Sequence, residues 1–261
     1  MTTQGQSLII LQQKIIACKR CPRLIRYCRR VAKEKRRMYR DHEYWGKPVP
    51  GFGDPKAELL ILGLAPGAHG SNRTGRMFTG DRSGDFLYPA LYTAGFANQP
   101  ESRHRGDGLE LRGCYITASL RCAPPGNKPQ PEELRNCQPY LERELELLPR
   151  VRAVLALGRI AFDTYLRMVS QPASGSSGHH SGRAVHQAGA TPKNFPSRSS
   201  FVFAHGASYA LPGGLPHLFA SYHPSQQNTQ TGKLTARMMR DVLEDIREFL
   251  RARVSCQGCA E

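Results

Sequence analysis

The sequence predicts an α/β protein: a mostly parallel sheet covered by helices on both faces. Two observations carry this. The apolar run Leu59-Leu60-Ile61-Leu62 leads straight into a glycine-rich polar loop, Gly63 to Phe86, and short β-branched or aliphatic runs then alternate with amphipathic helical stretches. The 261 residues suit one domain over 1–261 with short tails, because single cores stop growing only at about 250 to 300 residues. No internal repeat breaks that reading.

Glu58 to Gly63 is the first clear strand, an apolar run with a turn behind it. The stretch Gly84 to Gly95 reads as the helix after the loop, with Phe86, Leu87, Ala90, Leu91 and Ala94 on one face; Pro89 is then expected in its first turn, where a missing N–H is harmless. Cys114 to Ser119 is a second strand by its β-branched and aromatic content, Pro131 to Leu148 a charged amphipathic helix, and Ala153 to Gly158 a third strand followed by a helix from Arg159 to about Met168. Residues 170–200 are rich in Ser, Gly, His and Pro without periodicity and are expected to form a flexible surface insertion. Its His179, His180 and His186 read as solvent-exposed rather than metal-binding. Phe201 to His205 and Leu215 to Tyr222 are strand-like, and Gly232 to Arg251 is a long basic helix with Leu234, Met238, Val242, Ile246 and Phe249 inward.

Lys and Arg number 37 against 21 Asp and Glu, a formal charge of +16, which is the electrostatic footprint of a protein that meets nucleic acid. The basic run Arg26 to Arg40 is helix-compatible and could lie along a phosphate backbone or simply be a solvated face. No long apolar run suggests a membrane span, and residues 1–17 lack the features of a signal peptide, so a cytoplasmic protein with no membrane partner is expected. In that compartment disulfides are rare, and the eight cysteines read as metal ligands or buried thiols. Cys18 and Cys21 form a C-x2-C pair. With Cys122 and Cys137, fifteen positions apart, they make a set that suits an iron-sulfur cluster or zinc; on spacing alone a set using Cys256 and Cys259, or no metal at all, also stays open.

The glycine-rich loop, these four cysteines, the segment Arg121 to Pro129 (RCAPPGNKP) and the segment Ser221 to Asn228 (SYHPSQQN) together resemble the uracil-DNA glycosylase superfamily, most closely its iron-sulfur-containing family five, type b. The resemblance runs from Cys18 to about Arg251. It implies a three-layer α/β/α sandwich, a structural 4Fe-4S cluster on Cys18, Cys21, Cys122 and Cys137, and hydrolysis of the N-glycosidic bond of uracil in double-stranded DNA, by a monomer. Cys28, Cys114, Cys256 and Cys259 have no counterpart in that pattern.

The resemblance also assigns roles. A paired base is out of reach, so the nucleotide must be flipped into a pocket. Phe78 resembles the stacking aromatic of that pocket. The first motif, Gly63-Leu64-Ala65-Pro66-Gly67, offers no carboxylate, and Gly63, Ala65 and Gly67 can contribute only backbone. Asp81 is therefore expected to orient the water, although it could also serve as a helix cap. Asn127 matches the family's asparagine and reads either as a second water ligand or as a turn former. His223 resembles the histidine that hydrogen-bonds the departing base; Pro224 and Ser225 would clamp the DNA backbone, and Asn228 would contact base or phosphate. Ala118 stands where relatives carry a base-reading asparagine, so excision of several deaminated or modified bases is expected. His69 and Asn72 also belong to the loop and could touch DNA. A lyase step needs an amine nucleophile and none is assigned to the motifs, so a monofunctional enzyme is expected. The competing reading is a non-catalytic, metal-bearing nucleic-acid-binding protein of the same fold.

Overall fold

The structure is a computed structural model that describes residues 3–171 and 195–252. Its elements in chain order are α1 (Thr3–Ile16), α2 (Pro22–Glu34), β1 (Phe52–Gly53), β2 (Leu59–Gly63), α3 (Ser71–Thr74), α4 (Arg82–Thr93), β3 (Cys114–Ala118), α5 (Pro131–Leu147), β4 (Ala153–Leu157), α6 (Arg159–Val169), β5 (Ser208–Tyr209), β6 (His217–Ser221), α7 (Gln226–Gln230) and α8 (Ala236–Ala252). The six strands form one sheet in the order β1-β3-β2-β4-β6-β5. The four central strands run parallel, and the two short edge strands are antiparallel to their neighbours.

Side-chain alternation along β2 divides the core. Leu59 and Ile61 face one layer, with Leu87 and Leu91 of α4 and Met239, Val242 and Ile246 of α8. Leu60 and Leu62 face the other, with Leu141 of α5, Phe162 and Tyr165 of α6, and Leu8 of α1. Both faces being covered is why the central strands read as unbroken apolar runs. Beneath the sheet, buried Arg121 and Glu144 pair at 2.7 Å, and Thr117 Oγ1 donates to the same carboxylate at 2.6 Å.

Three expectations need correction. The helix after the loop begins at Arg82, not Gly84, because Asp81 caps it; Pro89 therefore lies in the helix interior rather than the first turn. Phe201 to His205 is not a strand. The backbone N–H and C=O of Val202 bond the Tyr209 hydroxyl instead, at 3.0 and 2.7 Å, and the aromatic rings turn inward onto Phe162 and Tyr209. The last helix starts at Ala236, so its buried face is Met239, Val242, Leu243, Ile246 and Leu250, while Leu234 is buried just before it. Of the expected insertion, 172–194, with its three histidines, lies outside the described residues, as do Cys256 and Cys259. Its end is structured: Phe195 packs on Phe201 at 5.8 Å and residues 198–200 form a 3-10 turn.

Candidate active site

Connections leave β2 toward β3 on one side, whereas β4 lies on its other side, so the strand order reverses at β2 and β4. In an open parallel sheet that reversal leaves a crevice at the carboxyl ends of the strands. Gly63 ends β2, Ala118 ends β3 beside it, Gly158 follows β4, and Ser221 ends β6 ahead of His223. The glycine-rich loop follows β2, the RCAPPGNKP segment follows β3 and the SYHPSQQN segment begins at the last residue of β6, so all three start at that edge.

The loop after β2 is organised around two side chains. Phe78 sits at φ +51°, a left-handed conformation that costs a non-glycine residue roughly 1–2 kcal/mol. Its ring lies so close to Gly63 that a Cβ there would come within 2.9 Å of Cζ, and its carbonyl oxygen would stand 1.9 Å from a Cβ on Gly84. Glycine at both positions is thus a packing requirement. Asp81 Oδ1 accepts from the backbone N–H groups of Ser83 and Gly84, each at 3.1 Å, capping α4. Its Oδ2 faces the other way, against Gly67 and Gly70. Burial pushes the Asp81 carboxyl above the ordinary carboxylate range; the two capping N–H groups and Arg73 partly oppose this.

On the opposite wall, the His223 ring stands 5.8 Å from that of Phe78, tilted by 32°. The His223 carbonyl accepts from Asn228 Nδ2 at 2.9 Å, and the Ser225 hydroxyl caps α7 by accepting from the Asn228 N–H. Burial drives the imidazole down to about 4, so it is neutral at pH 7. His223 and Asn228 line a cleft of about 430 Å³ together with Gly158, Arg159, Phe203, Tyr222 and Lys233.

The structure therefore brings Phe78 and His223 into contact and sets Asp81 three residues from Phe78 on the same loop, while neither Phe78 nor Asp81 lines that cleft. Ala118 is buried at the end of β3, with Gly63 as its register partner. Asn127 is exposed in a turn at φ +56°. Pro224 is buried, and Ala65 packs against the cysteine cluster described below. Asn72 is no surface contact: it is buried, and its amide donates to the carbonyls of Cys28 and Ala68, both at 3.3 Å. His69 instead meets the Tyr44 hydroxyl at 3.1 Å. Sequence reasoning missed Arg73, which donates to the His69 carbonyl at 2.8 Å and the Gly80 carbonyl at 2.5 Å, and Lys233, whose ammonium lies 4.9 Å from the Tyr222 ring centroid. Arg73 lies within the glycine-rich loop and Lys233 beyond the last matched segment, and in a chain with 37 Lys and Arg neither stands out locally.

Cys21, Cys122 and Cys137 pack in one small apolar cluster with Leu24, Cys28, Leu120 and Ala123. Cys18 is close enough that its charge raises the thiols of all three. Burial raises Cys21 and holds Cys137 at about 11, so these sulfurs would not ionise together unaided. Among the described residues no three His, Cys, Asp or Glu side chains converge tightly enough to hold a single metal ion. The donor set still suits a larger cationic centre: Cys21, Cys122 and Cys137 come from three separate segments into one cluster, half-buried Cys18 is near enough to raise all three, and a positive group among them would offset their mutual repulsion. Cys28 packs in the same cluster, its thiol hydrogen-bonded with that of Cys122 and also donating to the Ala123 carbonyl at 3.7 Å. Cys114 is buried, with its sulfur 3.6 Å from the Phe96 carbonyl.

A model of the uracil DNA glycosylase superfamily matches residues 50–247, and the chain belongs to that superfamily. A type-5 uracil-DNA glycosylase of Thermus thermophilus is 51% identical over 237 residues, covering 91% of this chain and 95% of the relative. Proteins of the same description from Mycobacterium bovis, 46% identical over 244 residues (93% of this chain and 82% of the relative), and Pyrobaculum aerophilum, 41% over 246 (94% and 92%), match over most of their length. Within the superfamily the chain belongs with the type-5 family.

Proposed function

We propose that this protein is a monofunctional DNA repair glycosylase of the cytoplasm, which acts as a monomer on double-stranded DNA and hydrolyses the N-glycosidic bond of uracil and related deaminated or modified bases to leave an abasic site. The observation that carries the reading is Asp81: a half-buried carboxylate with one oxygen committed to capping α4 and the other directed into the glycine loop beside Phe78. The extruded base stacks on Phe78. Asp81 orients the attacking water and stabilises the cationic sugar, with Asn127 approaching that water from the solvent side. Neutral His223 donates a hydrogen bond to the base carbonyl as negative charge develops on the departing pyrimidine. Backbone groups of Gly63, Ala65 and Gly67 meet the base. The Ala118 methyl offers no hydrogen bond to read its edge, which supports broad base specificity. Pro224, Ser225 and Asn228 hold the backbone of the lesioned strand.

Cys18, Cys21, Cys122 and Cys137 hold a 4Fe-4S cluster in this reading. Its contribution is structural, fastening α2 to α5 and to the loop before it. The mechanism runs through an activated water and not an amine, so Lys128, exposed within the matched segment, and Lys233 in the cleft take no covalent part. Incubating the protein with duplex DNA holding one uracil, then with alkali, tests this: scission at that position is expected. An intact strand despite tight binding would instead establish the non-catalytic nucleic-acid-binding alternative. Borohydride trapping should yield no covalent protein–DNA adduct.

A further inference from the structure

Residues 36–40 form a tight basic turn outside the motifs. Arg37 to Tyr39 is a 3-10 helix, the Tyr39 N–H donates to the Arg36 carbonyl at 2.8 Å, and Lys35 Nζ closes the turn on the Arg40 carbonyl at 2.9 Å. Arg36, Arg37 and Arg40 are exposed. Met38, between them, is 64% exposed, the highest value among the large apolar side chains of the described residues. A single exposed apolar side chain is common on protein surfaces, and what distinguishes Met38 is its setting among the exposed Arg36, Arg37 and Arg40.

The turn is also fastened to the catalytic loop. The Arg36 N–H donates to the Tyr44 hydroxyl at 3.3 Å, and that hydroxyl meets His69 Nδ1 at 3.1 Å. The Arg73 guanidinium stacks on Tyr39, 3.9 Å from the ring centroid, and donates to the carbonyl of Gly80, the residue before Asp81. The turn thus keeps one shape and need not be ordered on binding.

We infer that this turn is a DNA-gripping element: Arg37 and Arg40 lie on phosphates of the duplex beside the lesion, and Met38 is an apolar wedge pressed against the stacked bases, helping to loosen the target nucleotide. Apolar side chains flanked by cations act in this way on bent or unstacked duplexes. The inference rests on the glycosylase reading for its substrate. The test compares wild type, Met38→Ala and Arg37→Ala/Arg40→Ala in single-turnover excision from duplexes with U·A or U·G, with 2-aminopurine beside the uracil.

Met38→Ala should slow excision from the stably paired U·A duplex roughly tenfold, slow U·G less because a mismatch is already loosened, and weaken the 2-aminopurine rise. The double variant should lower the slope of log K against log salt by about 2. Wild-type rates and fluorescence in Met38→Ala, or an equal loss on both substrates, would overturn the wedge; an unchanged salt slope would overturn the phosphate contacts. If wild type itself excises uracil from neither duplex, it is the glycosylase reading that fails, and the salt slope still decides the DNA contact.

Discussion

Asp81 occupies the space that a side chain on Gly70 would need: a Cβ built there falls 1.8 Å from Oδ2 and 2.5 Å from Cγ of Asp81. The carboxylate proposed to hold the water is therefore positioned by the missing side chain of another residue on the same loop. Gly70→Ala should expel Asp81 from its place and cut excision at least 100-fold, with the fold retained by circular dichroism. Wild-type activity in that variant would remove Asp81 from the chemistry.

Capping and catalysis by Asp81 can be separated. Asn caps a helix as well as Asp does, so Asp81→Asn should keep the melting temperature while losing about 10²–10⁴-fold in rate. Asp81→Ala should lose the rate and also about 1 kcal/mol of stability by urea titration, because the Ser83 and Gly84 N–H groups lose their acceptor.

Excision should lose rate as pH falls through an Asp81 pKa set above 3.8 by burial, since only the ionised carboxylate can accept from water. No step is expected near pH 6.5. His223 is already neutral there and stays so down to about 4. A pH–rate profile of kcat/KM measures both points, and an inflection near 6.5 that disappears in His223→Gln would contradict the neutral-donor role.

The same imidazole couples to stability. Between its ordinary value near 6.5 and about 4, the unfolded chain binds a proton that the folded one does not, so stability falls as pH drops through that window. His223→Gln should flatten this part of the urea-derived stability curve.

Protein purified without oxygen should be brown, and Cys122→Ser should bleach it and expose the segment around α2 to proteases. A colourless protein with stoichiometric zinc would refute the iron-sulfur assignment.

Removing one partner of the buried Arg121–Glu144 pair should be costly, because the other charge is stranded: Glu144→Ala is expected to lose about 3–5 kcal/mol in chemical denaturation. Glu144→Gln, which keeps a hydrogen-bonding oxygen near Thr117, should lose less.

The central strands and the helices from Pro131 and Arg159 were legible because continuous apolar runs and 3.6-residue periodicity are local signals. The helix Thr3–Ile16 carries such a signal too, with Leu8, Leu11 and Ile15 buried on one face, but it is weaker than the charge and cysteine patterns that follow it. Phe201 to His205 misled for the opposite reason: its aromatic content is strand-like, but its rings are needed to cover α6 and its backbone is satisfied by one tyrosine hydroxyl.

What the sequence by itself determined was the class of chemistry, since the residue types in the glycine loop, the HPS segment and the cysteine set travel with their motifs. Only the tertiary structure decided how those residues meet: which Asp81 oxygen is spent on α4, that Phe78 faces His223 across the sheet edge, that Asn72 is buried, and that Arg73 ties a distant basic turn to Gly80. Such contacts join segments tens of residues apart, and burial and hydrogen-bond geometry arise from the packing of the whole chain rather than from any local run.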